Sequence, residues 1–588
     1  MSRHGGSPSH IPATQRSHPS PASVVAEAEP PGFRHLQLEG RHKPEAIGER
    51  AALAERAARL DLRMTVPVGW APAPADLPGA DAPIQKSEPD PNDNPYIPSG
   101  YTYLLQFVAH DLVSTRVPFW ATTTLDQDTA NDRGTRLRLD ALYGGGPTEL
   151  PILYAPSDPA DLSRAKLRIG RSSPLKTGDH AGLCPFRDIT RVKLDLPGYT
   201  EAIVADQRND DHALISQLTM VFGHLHNIFV DLQPPVPADD PAFSFTRDTA
   251  RLFENAREAT TLVYRHVIRE DLLRRILHPA VYAHYSQAAP DFLDGLAGSP
   301  AHGVPLEFSH AAFRFGHALV RERYVVNGAT NSLGLLLTDA LNRFSSGRNV
   351  HMAPLAAEWL VLWSNFFKVE GISNPDRINL SRRIGPRCPI SLFGEAFGPI
   401  DGSQGTGLLY RDLISAQLAD LWPVRDLLAA MREHRAFGPI LAGSPFLPDD
   451  GWEAEIAKWL SEGNFEGATS PWARLTPEEK AAEIAAIAAN PPLPFFVLFE
   501  AFKDPDSLGC RLGRFGSILV GDTLFGELNN KFESETEHAL LADQLGSLHP
   551  KFAEAVLRQP LTMASVIGFI NDRLQRSQDD ALKFPSLL

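Results

Sequence analysis

Residues 94 to 111 read Asn94-Pro95-Tyr96-Ile97-Pro98-Ser99-Gly100-Tyr101-Thr102-Tyr103-Leu104-Leu105-Gln106-Phe107-Val108-Ala109-His110-Asp111. From Tyr101 to Leu112 the apolar residues fall at helical spacing with no breaker, which predicts a helix. Gln106 and His110 are four apart and share one face of it. His110 stands among Phe107, Val108 and Leu112, so its ring faces an apolar interior. A satisfied core histidine and a neutral imidazole doing acid–base work fit these residues about equally. In the second case Gln106 positions a water or a small oxygen ligand.

Two further segments stand out. Arg208-Asn209-Asp210-Asp211 precedes a long apolar run from Ala213 to Leu232 that predicts a helix. Asn and Asp there suit helix capping and the first turn. Capping does not explain Arg208, which is placed to polarise an anion or an O–O bond. Ala312-Phe313-Arg314-Phe315-Gly316-His317-Ala318-Leu319-Val320 sets His317 on a strongly apolar predicted helix. A glycine inside a helix costs about 1 kcal/mol against alanine, and Gly316 would let a flat group approach the backbone. An apolar slot with one imidazole suits an axial ligand to haem iron, although a core histidine is the commoner use of such a residue. Arg314 lies nearly on the same face, within reach of a carboxylate.

The rest of the chain narrows the class. It has 588 residues, 43% hydrophobic and 22% charged, with a net charge of −15. An acidic chain is a poor match for nucleic acid. Cys184, Cys388 and Cys510 are too few and too scattered for a disulfide framework or a zinc site. No HExxH, GxSxG or Walker loop occurs. His224 and His226 are two apart, on different sides of a helix, and cannot easily share a metal. No signal peptide or transmembrane segment is expected, which makes the cytoplasm the default location. Further helices are predicted over residues 49–63, 243–277, 307–324, 355–367, 412–434, 477–489 and 495–502. Strand-like runs are few and short. The expected fold is mainly α, a helical core with long loops. Residues 1–45 read as a disordered tail, 46–91 as an N-terminal arm and 92–588 as the catalytic domain.

Taken in order, these segments resemble the peroxidase–cyclooxygenase superfamily, the animal-type (myeloperoxidase-like) haem peroxidases. Residues 94–111 are similar to the family's distal-histidine segment, and Arg138-Leu139-Asp140-Ala141-Leu142-Tyr143-Gly144 to its next motif. Arg208-Asn209-Asp210-Asp211 resembles the distal-arginine segment and Phe313-Arg314-Phe315-Gly316-His317 the proximal-histidine segment. Residues 491–526, with Leu512-Gly513-Arg514-Phe515-Gly516, resemble the C-terminal helix of bacterial members. The resemblance implies haem b, with His317 as proximal iron ligand and His110 as the distal base that takes and returns a peroxide proton. It implies that Arg208 stabilises the departing hydroxide, Gln106 orders distal waters or a halide, and Arg314 pairs with a haem propionate. The implied substrates are hydrogen peroxide and a small reducing donor, oxidised through a ferryl haem.

The departures from the family pattern carry their own expectations. Ala109 replaces an acid that forms one haem ester in family members, so that ester cannot form. Asp211 replaces the Glu of the second, one methylene shorter, which leaves at most a single ester through Asp211. The family's calcium loop includes Asp111, but Gly134 and Arg138 replace two ligands, and calcium needs roughly six to eight oxygens. Arg138 is expected instead to occupy the cation's position, paired with Asp111 or Asp140. The family's proximal Asn maps to Asp412, whose carboxylate would make His317 more imidazolate-like, and the Arg one turn later is Ser415. The alternatives are a fatty-acid dioxygenase of the same superfamily, a haem-binding protein that has lost turnover, and a plain interaction protein without cofactor, in which the buried histidines are structural. The dioxygenases place a radical-forming Tyr three residues before the proximal His, where this chain has Arg314.

Overall fold

The computed structural model describes residues 32–43, 50–115, 131, 133, 137–156, 164–174, 185–193, 200–234, 245–287, 289–297, 303–327, 335–336, 354–389, 392, 407–447, 451–462, 470–528, 538–556 and 561–575. Of the expected disordered tail over residues 1–45, residues 1–31, 44 and 45 lie outside the described residues, as do Gly134 and Thr135 of the calcium run; residues 32–43 are ordered instead, with Phe33–Arg34 paired to Val304–Pro305 and Leu36 and Leu38 buried.

The fold is mainly α with long connections. Helix α1 spans Arg50–Met64, α2 Gly100–Leu112, α3 Ala213–Leu232 and α4 Phe245–His266. Helix α5 spans Leu408–Leu418, α6 Val424–Glu433, α7 Pro477–Ala489, α8 Leu493–Lys503 and α9 Arg514–Leu528. Among the described residues the strands form only two-stranded ladders. One of these matters for the site: β1, Asp93–Pro98, pairs antiparallel with β2, Leu380–Arg382, and leads directly into α2. The entry is tight. Gly100 N–H donates to Phe366 O at 2.8 Å. A Cβ on Gly100 would stand 2.5 Å from that same oxygen, so only glycine fits.

Helix α3 is buried on nearly every side, its polar residues included. It is long and apolar enough to cross a membrane by composition, yet nearly all of it lies inside the protein. It packs on α2 and α4. The contact is aromatic: Phe107 of α2 stacks on Phe222 of α3 at 5.1 Å, and the Tyr264 ring of α4 meets both edge-on. This packing fixes the face of α2 next to the one that carries Gln106 and His110.

Three expected helices are interrupted. Residues 307–324 form a short α-turn, Leu306–Ser309, then a 3-10 helix, Ala312–Leu319, then a strand at Arg323–Tyr324. The tighter winding has three residues per turn, so Arg314 and His317 fall on one face and Phe313 and Gly316 on the next. Residues 412–434 are broken between α5 and α6, where Asp420 takes a left-handed φ of 51° and Pro423 stands just before α6. Residues 355–367 hold only two 3-10 turns, Ala357–Trp359 and Trp363–Asn365. The stretch is apolar because it is buried, and apolarity alone does not distinguish a buried loop from a helix. Helix α4 runs on through a π-helical segment, Val267–Leu273.

Candidate active site

A cavity of about 300 Å³ opens between α2, the turn before α3, and the 3-10 segment Ala312–Leu319. Helix α2 contributes Gln106 and His110, and the turn contributes Arg208 and Asp211. The 3-10 segment contributes Phe313, Arg314, Gly316 and His317. The structure therefore brings six of the seven candidate residues to one cavity. The seventh, Asp412, stands behind His317.

His110 is buried. Its Nδ1 lies 2.7 Å from Asn209 Oδ1. Asn209 Nδ2 donates to Ala141 O, so the amide oxygen faces the imidazole and Nδ1 must carry the proton. Nε2 is left as an unprotonated acceptor. Burial, reinforced by Arg208, pushes the His110 pKa down to about 3, so the ring is neutral at ordinary pH.

Arg208 is anchored. Its Nε donates to Asp206 Oδ1 at 3.0 Å, and one terminal nitrogen reaches both Asp206 Oδ2 at 2.6 Å and His110 O at 2.9 Å. Arg133 pairs with the same carboxylate and donates to the same carbonyl. Burial alone would raise the Asp206 pKa, but the guanidiniums outweigh it and hold the carboxyl well below its usual range. Asp206 also accepts from Arg208 N, capping the 3-10 turn Gln207–Asp210. The capping expected of Asn209 to Asp211 thus falls to Asp206 and His212, the latter accepting from Ile215 N–H at the start of α3. His212 lines the cavity as well, and its Nε2 lies 3.0 Å from Gln106 Oε1. Asp211 is half-buried at the wall, and burial pushes its pKa up to about 7 against the pull of Arg208.

On the other side, His317 Nδ1 lies 2.5 Å from Asp412 Oδ2, so a carboxylate acceptor keeps the proton on Nδ1. His317 Nε2 makes no hydrogen bond among the described residues. Arg314 Nε donates to Ser309 O at 2.9 Å, and its terminal nitrogen stands 3.7 Å from Asp412 Oδ1. A second buried carboxyl, Asp61 of α1, is pushed up to about 8 by burial and by Asp412, so it keeps its proton at neutral pH. The wall at Gly316 is open: a Cβ there would meet nothing within 4 Å. An open glycine wall, a free imidazole nitrogen backed by a carboxylate and a guanidinium on the same face fit a haem.

The expectation for Arg138 is corrected. Its side chain is exposed, and it acts on Asp140 only by lowering that carboxyl's pKa. Asp111 instead accepts the backbone N–H of Leu139 at 3.0 Å and of Ala141 at 3.1 Å. These amides can turn to it because Leu139 adopts a left-handed φ of 64°. His224 and His226 are buried against the carbonyls of Phe186 and Ala165 and serve the core.

Asn209, His212, Asp206 and Arg133 are the site residues missed in the sequence. Asn209 sits inside the distal-arginine segment, where capping offered a sufficient account of it, and Asp206 and His212 flank that segment. The signal for His212 was a polar ring immediately before a long, largely apolar run.

The animal haem peroxidase family model matches residues 159–353, the part that holds Arg208, Asp211, Arg314 and His317. Over that segment the chain is similar to the animal haem peroxidase family. No curated protein sequence matches. Among solved structures, peroxidase A from Dictyostelium discoideum is similar at 14% identity and a TM-score of 0.46, covering 92% of each chain. Fatty acid alpha-dioxygenase from Arabidopsis thaliana is 12% identical with a TM-score of 0.47, over 94% of this chain and 81% of that one. The Oryza sativa enzyme is 12% identical with a TM-score of 0.49, over 93% and 84%. At such low identity none of the three likenesses bears on activity.

Proposed function

We propose that the cavity holds haem b and that the protein is a peroxidase, reducing hydrogen peroxide to water with two electrons from a small donor. A bound haem would supply the redox-active iron at which peroxide is reduced at the donor's expense. His317 offers Nε2 to the iron while Asp412 holds the ring by Nδ1. His110 Nε2 would take a proton from one peroxide oxygen and return it to the other, which departs as water. Arg208, held by Asp206 and the His110 carbonyl, stabilises negative charge building on that oxygen. Arg314 pairs with a haem propionate. Gln106 binds a water, a peroxide oxygen or a halide beside them.

The observation that carries this reading is the placement of His110: a buried ring whose Nδ1 is held by Asn209, lining the same cavity as a carboxylate-backed histidine. A dioxygenase reading lacks its radical-forming tyrosine, since Arg314 occupies that position and is tied to Ser309 O. The test is His110→Ala. It should retain haem and slow the reaction of the ferric protein with peroxide by about 10²–10⁴-fold. An unchanged rate removes His110 from the mechanism.

A further inference from the structure

The His212–Gln106 pair has a consequence for what the cavity binds. Gln106 can present either its oxygen or its nitrogen, and a glutamine free to turn would serve as either acceptor or donor. Here the choice is forced from outside. Ile215 N–H is a fixed donor, and it points at His212 Nδ1 at 3.3 Å. Nδ1 must therefore be the acceptor, and the one proton of the neutral ring sits on Nε2. That proton faces Gln106 at 3.0 Å, so the atom it meets must be Oε1. Turning the amide over would set N–H against N–H. His212 itself cannot turn, since α3 holds it by the cap and its ring meets the Tyr103 ring edge-on at 5.1 Å.

We infer that His212 is a positioning residue that locks Gln106 with its amide nitrogen toward the cavity, making it an obligate donor to an anion or a peroxide oxygen there. The inference rests on the haem reading. Burial and His110 keep His212 neutral, with a pKa of about 3, so the lock holds across ordinary pH. The cavity then has a division of labour: His110 accepts, while Gln106 and Arg208 donate. Charge-seeking groups of the opposite kind, such as a cation or a second donor, find no acceptor at Gln106.

The test uses the haem-loaded ferric protein and fluoride, an anion that only accepts hydrogen bonds, with affinity read from the absorption spectrum. His212→Asn keeps a cap for Ile215 N–H but is too short to reach Gln106. It should weaken fluoride binding about tenfold with haem content unchanged. His212→Gln, which restores a donor at the right reach, should bring affinity back to within about threefold of wild type. In a Gln106→Leu background His212→Asn should add nothing, because the effect travels through the amide. Unchanged affinity in His212→Asn overturns the inference, as does a full additional loss in the Gln106→Leu background. A wild-type protein that takes up no haem overturns the haem reading too, and this is seen in the spectrum before fluoride is added.

Discussion

His110 shows how much of an active-site histidine's chemistry is decided by atoms that do not react. Asn209 assigns its proton to Nδ1, burial keeps it neutral, and Arg208 adds a positive charge that disfavours a second proton. With its pKa depressed to about 3, the base is ready at any pH well above that value. The rate of reaction with peroxide should therefore stay flat from about pH 5 to about pH 8 and fall only in stronger acid. A break near the usual histidine range would contradict the buried environment. An inflection near pH 7 that vanishes in Asp211→Asn would belong to that carboxyl. Asn209→Ala should keep haem yet slow the peroxide step, since the ring is then free to turn; stopped-flow mixing measures this. Asp211 is near the cavity but a methylene shorter than the ester-forming Glu, so extraction with acidified solvent should release most of the haem, and full retention would show a covalent link.

At the scale of elements, the 3-10 segment Ala312–Leu319 carries the proximal side of the site. It is packed by α2, α8 and α9, and His317 is braced from α5 through Asp412. Asp412→Asn should keep the ring's partner but lose its charge, lowering haem affinity by about 10–100-fold in a haem titration. Gly316 supports a sharper prediction. Because a Cβ there meets nothing, Gly316→Leu should leave the melting temperature of the haem-free protein unchanged and block haem uptake. Haem binding as in the wild type would show that no flat group approaches that wall. The helices around the site were legible where the apolar pattern was long and unbroken, as in α2, α3 and α8. The proximal segment was not, because a run such as Ala312–Leu319 has the same apolar pattern whether wound as an α-helix or a 3-10 helix. The break between α5 and α6 was written in Pro423, which the amphipathic pattern on either side masked.

For the whole molecule, one large core joins the helices around the cavity, and residues from α1 to α9 contribute to it. A ligand that binds only the folded chain stabilises it by about 2.7 kcal/mol at a hundredfold excess over its Kd. Haem should therefore raise the melting temperature, and a calcium chelator should not lower it, because Asp111 is satisfied by backbone amides rather than a cation. A chelator-sensitive melting point would show that a cation is held there. His110, Arg208 and His317 could be picked out from the chain because the segments around them, taken in order, resemble a known family; their local setting alone left His110 evenly balanced with a core role and favoured a core role for His317. Their partners could not, because Asn209, Asp206 and His212 have ordinary local reasons to be where they are. Only the folded chain shows that those local roles and the site roles are filled by the same atoms.

The most direct measurement is a titration of the purified, haem-free protein with haem, followed by absorption and run in parallel on His317→Ala. The expected result is a Soret band that saturates at one haem per chain in the wild type and is lost in the variant. A wild type that stays colourless, or a variant that binds haem equally well, would contradict an iron held by His317 in the cavity it shares with His110.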